Sequence, residues 1–277
     1  MALIHDEQRD IWDPAFFLKS PAFWPLEFFA KQFVDLEAWP SLQDFNDSFV
    51  GHRQQNALKF VEQRGKQKVI DYIEQIAFAS EVPSRPGNWH DYLNMLCWQR
   101  FPHTRRRING LQIGALGQQS QAERGVVRTA LLDTLTHLDE CGVALLSSSK
   151  ELLEAIREFS WKEVFVERRQ LFVNSVDVIV FGHGLYAQLL RPYIGITGRS
   201  LLIECTANYF AEPESRRLNL ADHWIAERIE QVEAPKQLSP LPLLGVPGWL
   251  KENENSNFYE NKNYFRPGRQ QESILAN

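Results

Sequence analysis

The chain has few cysteines, and they are scattered. Its 277 residues include three, Cys97, Cys141 and Cys205, with no CxxC pair among them. Because an odd number of cysteines cannot all pair within one chain, reduced thiols in the cytoplasm fit this sequence best. We therefore expect a cytoplasmic protein whose thiols are buried and unreactive.

The sequence also lacks long apolar segments and an excess of positive charge. No window approaches the roughly 18 apolar residues that a membrane-spanning helix needs, and the charged residues between positions 5 and 10 do not suit a secretory signal. The formal net charge is −5, so phosphate backbones would be repelled unless positive charge were gathered in one place. Membrane insertion, secretion and general nucleic-acid binding are disfavoured.

Several well-known catalytic motifs are missing. The sequence contains no GxSxG, HExxH, GxxxxGK[ST] or GxGxxG pattern. Any function must therefore reside in less regular groups of polar residues.

The composition predicts a sizeable core in an α+β fold. The chain is 44% apolar and contains 18 Phe and 8 Trp, which supply ample side-chain volume to bury. Length alone permits one domain or two, but no repeat or linker interrupts residues 1–235. We expect a single domain over residues 1–277, mostly helical with a small sheet and an irregular Pro- and Asn-rich C-terminal strap. Residues from about 250 to 277 are expected to form a loosely ordered tail.

A helix is predicted over residues 89–100, because Asn88 can cap it and a proline follows at position 102. His90 and Asn94 are one turn apart on this largely apolar helix, so their polar groups project side by side. Buried polar groups need partners, so this pair either forms structural hydrogen bonds or belongs to a site.

Residues 131–146 alternate around an acidic turn, which predicts a β-hairpin; a helix continuing through Leu138 is the alternative. The hairpin would place Asp139 and Glu140 at its tip, where a solvated turn is the ordinary explanation. Asp133 would lie within an apolar strand, where a carboxylate faces either solvent or a cation. A second hairpin is predicted from residues 57–61 and 69–78, although the latter could equally form a helix.

Residues 176–184 predict a buried strand that runs through Gly-His-Gly into a helix. His183 and several backbone N–H groups would then lie at a helix N-terminus, where many unrelated α/β sites bind anions or hold catalytic histidines. The two glycines lack the spacing of a nucleotide-binding loop, so a structural and a functional histidine are equally well supported.

One basic cluster follows the first helix, on segments predicted to be helical over residues 103–116 and 118–130. It consists of Arg100, Arg105, Arg106, Arg107, Arg124 and Arg128. These residues could contact phosphate, or they could pair internally with Asp133 or Asp139. We select Asn94, Arg105 and Arg128 as candidate substrate-binding residues.

Several motifs occur in an order typical of one family. They are NWHDYLNMLCWQRFP at 88–102, DTLTHLDECG at 133–142, FGHGL at 181–185, LPLLGVPGW at 241–249 and FRP at 265–267. The chain resembles, over nearly its whole length, the bacterial family catalogued as domain of unknown function 3025.

The resemblance supplies a map of motif positions rather than an activity. It implies that the family's motif positions are held here by His90, Asp91, Asn94, Asp133, Asp139, Glu140 and His183. The chain departs from the family pattern Phe-Gly-His-Ala, because Gly184 follows His183 here. This departure removes no potential ligand and no acid or base.

Three functions are compatible with these observations. The first is a hydrolase acting on a small molecule, with His90, Asp91 and His183 as catalytic residues and a divalent metal (Zn, Mn or Fe) on His90, Asp139, Glu140 and His183. The second is a non-catalytic binding or regulatory protein, in which the same residues form a structural hydrogen-bond network. The third is an RNA-associated protein that uses the Arg100 to Arg107 cluster.

Overall fold

The computed structural model describes residues 11–48, 58–120, 123, 126–127 and 129–268. The α-helices of this part of the chain are α1 (Glu27–Ala30), α2 (Leu42–Ser48), α3 (Val69–Glu74), α4 (Trp89–Arg100), α5 (Pro102–Gly117), α6 (Ala130–Cys141), α7 (Lys150–Arg157), α8 (Arg169–Ser175), α9 (His183–Leu189), α10 (Asn208–Ala211) and α11 (Glu214–Ile229). The strands are β1 (Lys59–Glu62), β2 (Glu81–Ser84), β3 (Gly142–Ser147), β4 (Val176–Val180), β5 (Thr197–Glu204) and β6 (Ser239–Pro242). The fold is α+β and mostly helical, as the sequence predicts.

The larger sheet has four strands in the order β4-β3-β5-β6. Strand β3 is antiparallel to β4 and parallel to β5, and β5 is antiparallel to β6. All six residues of β3 are buried, as expected for an inner strand covered on both faces. Because β3 and β4 are antiparallel, the residues that precede β3 and those that follow β4 lie at the same end of the sheet.

Two glycines allow the chain to approach itself closely at this end. The backbone N–H groups of Phe181 and Gly182 both donate to the carbonyl oxygen of Gly142, each at 3.0 Å. A Cβ atom added to Gly182 would lie 2.7 Å from the backbone nitrogen of Cys141. Glycine is therefore required where the start of α9 packs against the end of α6.

Helix α4 lies deep in the core. The side chain of Asn88 accepts a hydrogen bond from the backbone N–H of Asp91, which confirms the predicted N-cap. Every residue of α4 except His90 is buried. Aromatic rings from the N-terminal region, including Trp12 and Phe16, pack on Trp89 at centroid distances of 5.6 and 5.2 Å. This packing fixes α4 and leaves His90 as its outward-facing side chain.

The hairpin predicted over residues 131–146 is wrong, and the helical alternative is correct. Thr129 caps α6 by accepting a hydrogen bond from the N–H of Leu132. The hydroxyls of Thr134 and Thr136 donate to carbonyl oxygens one turn earlier, so these β-branched residues are accommodated in the helix. Asp139 and Glu140 therefore lie in the last turn of α6 rather than at a hairpin tip.

The second predicted hairpin is also wrong, and the helical alternative for residues 69–78 is correct. Strand β1 pairs in parallel with β2 instead of with residues 69–78. Those residues form α3 and a π-helical turn over Gln75–Ala79, which ends at Ser80 with a φ of 55°. A parallel pair needs a crossover connection, and this helical segment provides it.

The helix predicted over residues 118–130 falls partly outside the described residues. The residues that are described between 118 and 129 form turns or irregular structure, and α6 begins only at Ala130. Apart from strand β6, the chain beyond α11 forms the predicted irregular strap, in which the buried Asn253 donates hydrogen bonds to the carbonyl oxygens of Leu244 and Val246. The single-domain boundaries and the loosely ordered tail stay predictions, and residues 269–277 lie outside the described part.

In the described part of the chain, none of the helices combines the length and the apolar character that crossing a membrane requires.

Candidate functional site

Three distant motifs meet at the end of the sheet where α6 ends and α9 begins. His90 comes from the first turn of α4, Glu140 from the last turn of α6, and His183 from the first residue of α9. The rings of His90 and His183 contact each other edge to face, with centroids 4.5 Å apart. The antiparallel pairing of β3 with β4 brings Glu140 to the same place.

The three side chains can point ligand atoms at one position. Glu140 Oε2 lies 3.5 Å from His90 Nε2, and Glu140 Oε1 lies 3.5 Å from His183 Nε2. One ligand atom from each residue lies within 4.8 Å of the other two. Two imidazole nitrogens and one carboxylate are a donor set that binds Zn²⁺, Mn²⁺ or Fe²⁺.

The backbone fixes the tautomer of His183. Its Nδ1 lies 2.9 Å from the carbonyl oxygen of Asp139, and a carbonyl can only accept, so Nδ1 carries the proton. His183 is 3% exposed, and this burial is the main cause of its lowered pKa. The ring is therefore neutral, and its Nε2 presents a lone pair to Glu140.

A carboxylate orients His90 in a similar way. The Nδ1 atom of His90 lies 3.1 Å from Asp91 Oδ1. Arg85 in turn binds both oxygens of Asp91, through its backbone N–H at 2.7 Å and its guanidinium at 2.9 Å. The arrangement Arg85–Asp91–His90 holds the ring so that Nε2 faces Glu140.

The pKa values of His90 and Asp91 follow from their contacts with each other, with Arg85 and with Glu140. Burial lowers the pKa of His90, but Asp91 and Glu140 outweigh burial and raise it to about 9. Burial raises the pKa of Asp91, but the hydrogen bonds from Arg85 and His90 lower it overall. Both groups are therefore charged near neutral pH.

Glu140 is ionised and half exposed. Burial raises its pKa, but the hydrogen bond and charge of His90 and the charge of Arg105 lower it to about 2. A Cβ atom added to Gly184 would overlap Glu140 Oε2. Gly184 therefore leaves room for the position that this carboxylate occupies.

Asp139 pairs with a buried cation behind His183. Arg105 Nη1 lies 2.6 Å from Asp139 Oδ1, and the Arg105 side chain is 1% exposed. The other terminal nitrogen of Arg105 donates to Asn94 Oδ1, and Asn94 Nδ2 donates to the hydroxyl of Tyr72 at 3.0 Å. Asp139 is therefore committed to Arg105 and lies on the Nδ1 side of His183, away from the Glu140 carboxylate.

A cavity of about 250 Å³ opens beside these residues. It is lined by seven residues selected from the sequence, namely His90, Asp91, Asn94, Arg105, Asp139, Glu140 and His183. The structure therefore brings together three motifs that are separated by about 40 to 90 residues of sequence. The cavity is of a size suited to a small molecule.

Other selected residues lie elsewhere. Asp133 is on α6 and does not line the cavity. Arg128 and Arg124 lie outside the described residues.

Arg100 is buried and bonds to Asn219, and Arg107 pairs with Glu230 at 2.6 Å. The segment from Arg100 to Arg107 is therefore not a continuous free basic surface.

Some lining residues were not anticipated from the sequence. Arg85 and Tyr72 precede the first motif in segments without a distinctive pattern, so no sequence signal pointed to them. Asn109 and Gln112 follow Arg105 by four and seven residues, which places all three on one face of α5. That spacing was available and could have identified them.

The chain matches the family model described as "Protein of unknown function (DUF3025)" over residues 58–269. This match spans most of the sequence, and the chain belongs to that family. The motifs that carry His90, Glu140 and His183 all lie within the matched residues. Neither the curated proteins nor the solved structures include a significant match.

Proposed function

We propose that the protein is a metal-dependent hydrolase, and that His90, Glu140 and His183 bind one divalent metal ion. The observation that carries the proposal is the contact between His183 Nε2 and Glu140 Oε1, at 3.5 Å. Nδ1 of His183 donates to a carbonyl, so Nε2 and the carboxylate oxygen are both acceptors that face each other. A cation between them turns this repulsion into attraction.

The donor set supports a metal that can activate water. Two histidines and a glutamate are the ligands of one class of catalytic zinc site, in which a further position is left for water or substrate. Manganese and iron accept the same ligands. A divalent ion at this place would lower the pKa of a bound water, which is the chemistry that hydrolysis requires.

The surrounding residues support the ligands rather than replace them. Asp91 and the Asp139 carbonyl hold the two Nδ1 atoms, and Arg85 and Arg105 hold the two aspartates. Histidine ligands of metals usually donate their second N–H to an oxygen in this way. We therefore assign Asp91 and Asp139 as positioning residues.

A purely structural network is the competing explanation, and exposure argues against it. The side chains of His90 and Glu140 are 45% and 41% exposed and face a cavity. A network that only stabilises the core has its members buried and satisfied by one another. Here Asp91, Arg105 and His183 are buried, but His90 and Glu140 are not.

The test is the metal content of protein purified without an affinity tag or chelator, before and after loading with Zn²⁺, Mn²⁺ or Fe²⁺. The test variant is His90→Ala/His183→Ala. The matched control is His103→Ala/His223→Ala, because these two exposed rings also contact each other, with centroids 3.8 Å apart, and could bind metal adventitiously.

We expect close to one bound ion per chain in the parent and in the control. We expect the test variant to lose that ion while its circular dichroism spectrum stays that of a folded protein. A parent that binds no metal after loading, or a test variant that retains it, overturns the proposal. A panel of ester, amide and phosphoester substrates then identifies the reaction.

A further inference from the structure

The cavity has a second polar wall, which begins near the proposed metal ligands and extends away from them along α5. Arg105, Asn109 and Gln112 all line the cavity from one face of α5. Arg105 is at the end near the proposed metal, because its Nη1 lies 3.5 Å from His183 Nδ1. At a rise of about 1.5 Å per residue, Gln112 lies about 10 Å further along the helix axis.

Gln112 is buried and makes no hydrogen bond with any described residue. Its exposed fraction is 8%. Asn109 is also buried, and its Nδ2 donates to the carbonyl oxygen of Ile73 at 2.9 Å, while its Oδ1 accepts nothing from the described residues. The free polar atoms of both amides are accessible from the cavity that they line, so they can bond to water or to a ligand there.

The chemistry of the two amides defines that partner. A glutamine side chain offers an N–H donor and a carbonyl acceptor next to each other, and the free Asn109 Oδ1 adds a second acceptor. An uncharged amide carries both a donor and an acceptor, so it can pair with Gln112 through two hydrogen bonds. A carboxylate has only acceptors and would leave the oxygens of Gln112 and Asn109 without a donor.

We infer that the cavity binds a small, extended molecule whose reacting group lies at the metal and whose other end is an uncharged amide held by Gln112 and Asn109. This inference rests on the proposed function and adds the substrate class. Arg105 and Gln112 are about 10 Å apart along the axis of α5, and the volume of about 250 Å³ limits the ligand to a small molecule.

Lys68 offers a competing chemistry for the distal end. It is exposed and also lines the cavity. If Lys68 governed recognition, a carboxylate at the distal end would be preferred. The exposed lysine would form only a weak, screened pair, whereas the amides are buried.

The test uses protein loaded with Co²⁺, whose visible absorption changes when a hydroxamate binds the metal. Three hydroxamates share a four-methylene spacer and end in a carboxamide, a carboxylate or an isopropyl group. The first and third have nearly the same shape and differ in hydrogen bonding. Their dissociation constants are measured for the parent, for Gln112→Leu and for the control Gln118→Leu, which alters an exposed residue just beyond α5.

We expect the carboxamide probe to bind the parent about tenfold more tightly than the isopropyl probe, as two neutral hydrogen bonds provide. Gln112→Leu should abolish this difference, and Gln118→Leu should retain it.

Tightest binding of the carboxylate probe, or equal binding of all three probes by the parent, overturns the inference about the distal amide. In that case binding of Co²⁺ still supports the metal site. Failure to bind Co²⁺ overturns the proposed function and the inference together. The comparison of probes on the parent remains decisive if Gln112→Leu does not fold.

Discussion

Arg105 Nη1 and Asp139 Oδ1 form an ion pair at 2.6 Å, with the Arg105 side chain 1% exposed and Asp139 22% exposed. The pair joins α5 to the last turn of α6, directly behind His183. A fully buried arginine depends on its partner, because removing the counter-charge leaves an uncompensated ion in the core. The pair therefore links the stability of the fold to the geometry of the site.

This asymmetry in burial predicts unequal effects of two substitutions. Asp139→Asn strands the buried cation and should lower the free energy of unfolding by about 3–5 kcal/mol. Arg105→Met strands a carboxylate that is partly solvated, so its cost should be smaller, about 2–3 kcal/mol. Chemical denaturation of both variants measures the difference. Equal costs would show that the difference in burial does not set the effect, and a reversed order would show that Asp139 depends on the pair more than Arg105 does.

Asp91→Asn should weaken metal binding without removing a ligand. The carboxylate holds His90 through Nδ1, and loss of such a partner typically costs about 10- to 100-fold in metal affinity. Isothermal titration with Zn²⁺ measures the change. Asp71→Asn, an exposed position on α3 that does not line the cavity, is the matched control. An Asp91→Asn variant with the affinity of the parent would remove Asp91 from the site.

The sequence predicted most of the site's members but not how they meet. His90, Asn94 and His183 were identified because polar side chains on otherwise buried segments need partners. Asp139 and Glu140 were selected as ligands, yet they were placed on a hairpin tip. Alternating leucines and threonines favour a strand locally, whereas the Thr129 cap and the side-chain bonds of Thr134 and Thr136 to the backbone favour the helix.

Tertiary contacts account for what local pattern could not supply. The pairing of β3 with β4 brings residues about 40 positions apart to one sheet end, and nothing near either strand specifies that register. The parallel pair β1–β2 likewise depends on the helical crossover between its strands. Arg85 was missed for a related reason, since its role depends on a turn that returns it to Asp91.

Asn88 connects local helix stability to the site. Its side chain accepts a hydrogen bond from the N–H of Asp91 at 2.9 Å. Asn88→Ala should lower the free energy of unfolding by about 1 kcal/mol, as loss of an N-cap typically does. Thr129→Ala removes the cap of α6 and should cost a similar amount.

The two caps should differ in their effect on metal affinity. Asn88→Ala loosens the turn that carries both His90 and Asp91, so Zn²⁺ should bind more weakly. Thr129 lies at the far end of α6 from Glu140, so its loss should leave Zn²⁺ affinity close to that of the parent. Thermal unfolding with and without Zn²⁺ separates the two effects, and equal stabilisation of both variants by the metal would contradict this prediction.

Metal binding should become weaker as the pH falls, because the metal competes with a proton on His90. The raised pKa of His90, about 9, means that the metal-free site holds this proton near neutral pH. Binding must release it, so the apparent affinity should fall about tenfold for each pH unit below about 9. Glu140, with its pKa of about 2, remains ionised over this range and adds no dependence of its own.

Zn²⁺ titrations at about pH 6 and about pH 8, in buffers of different ionisation enthalpy, measure both the affinity and the number of protons released. An affinity that does not change with pH, with no proton release, would mean that the metal does not bind through His90.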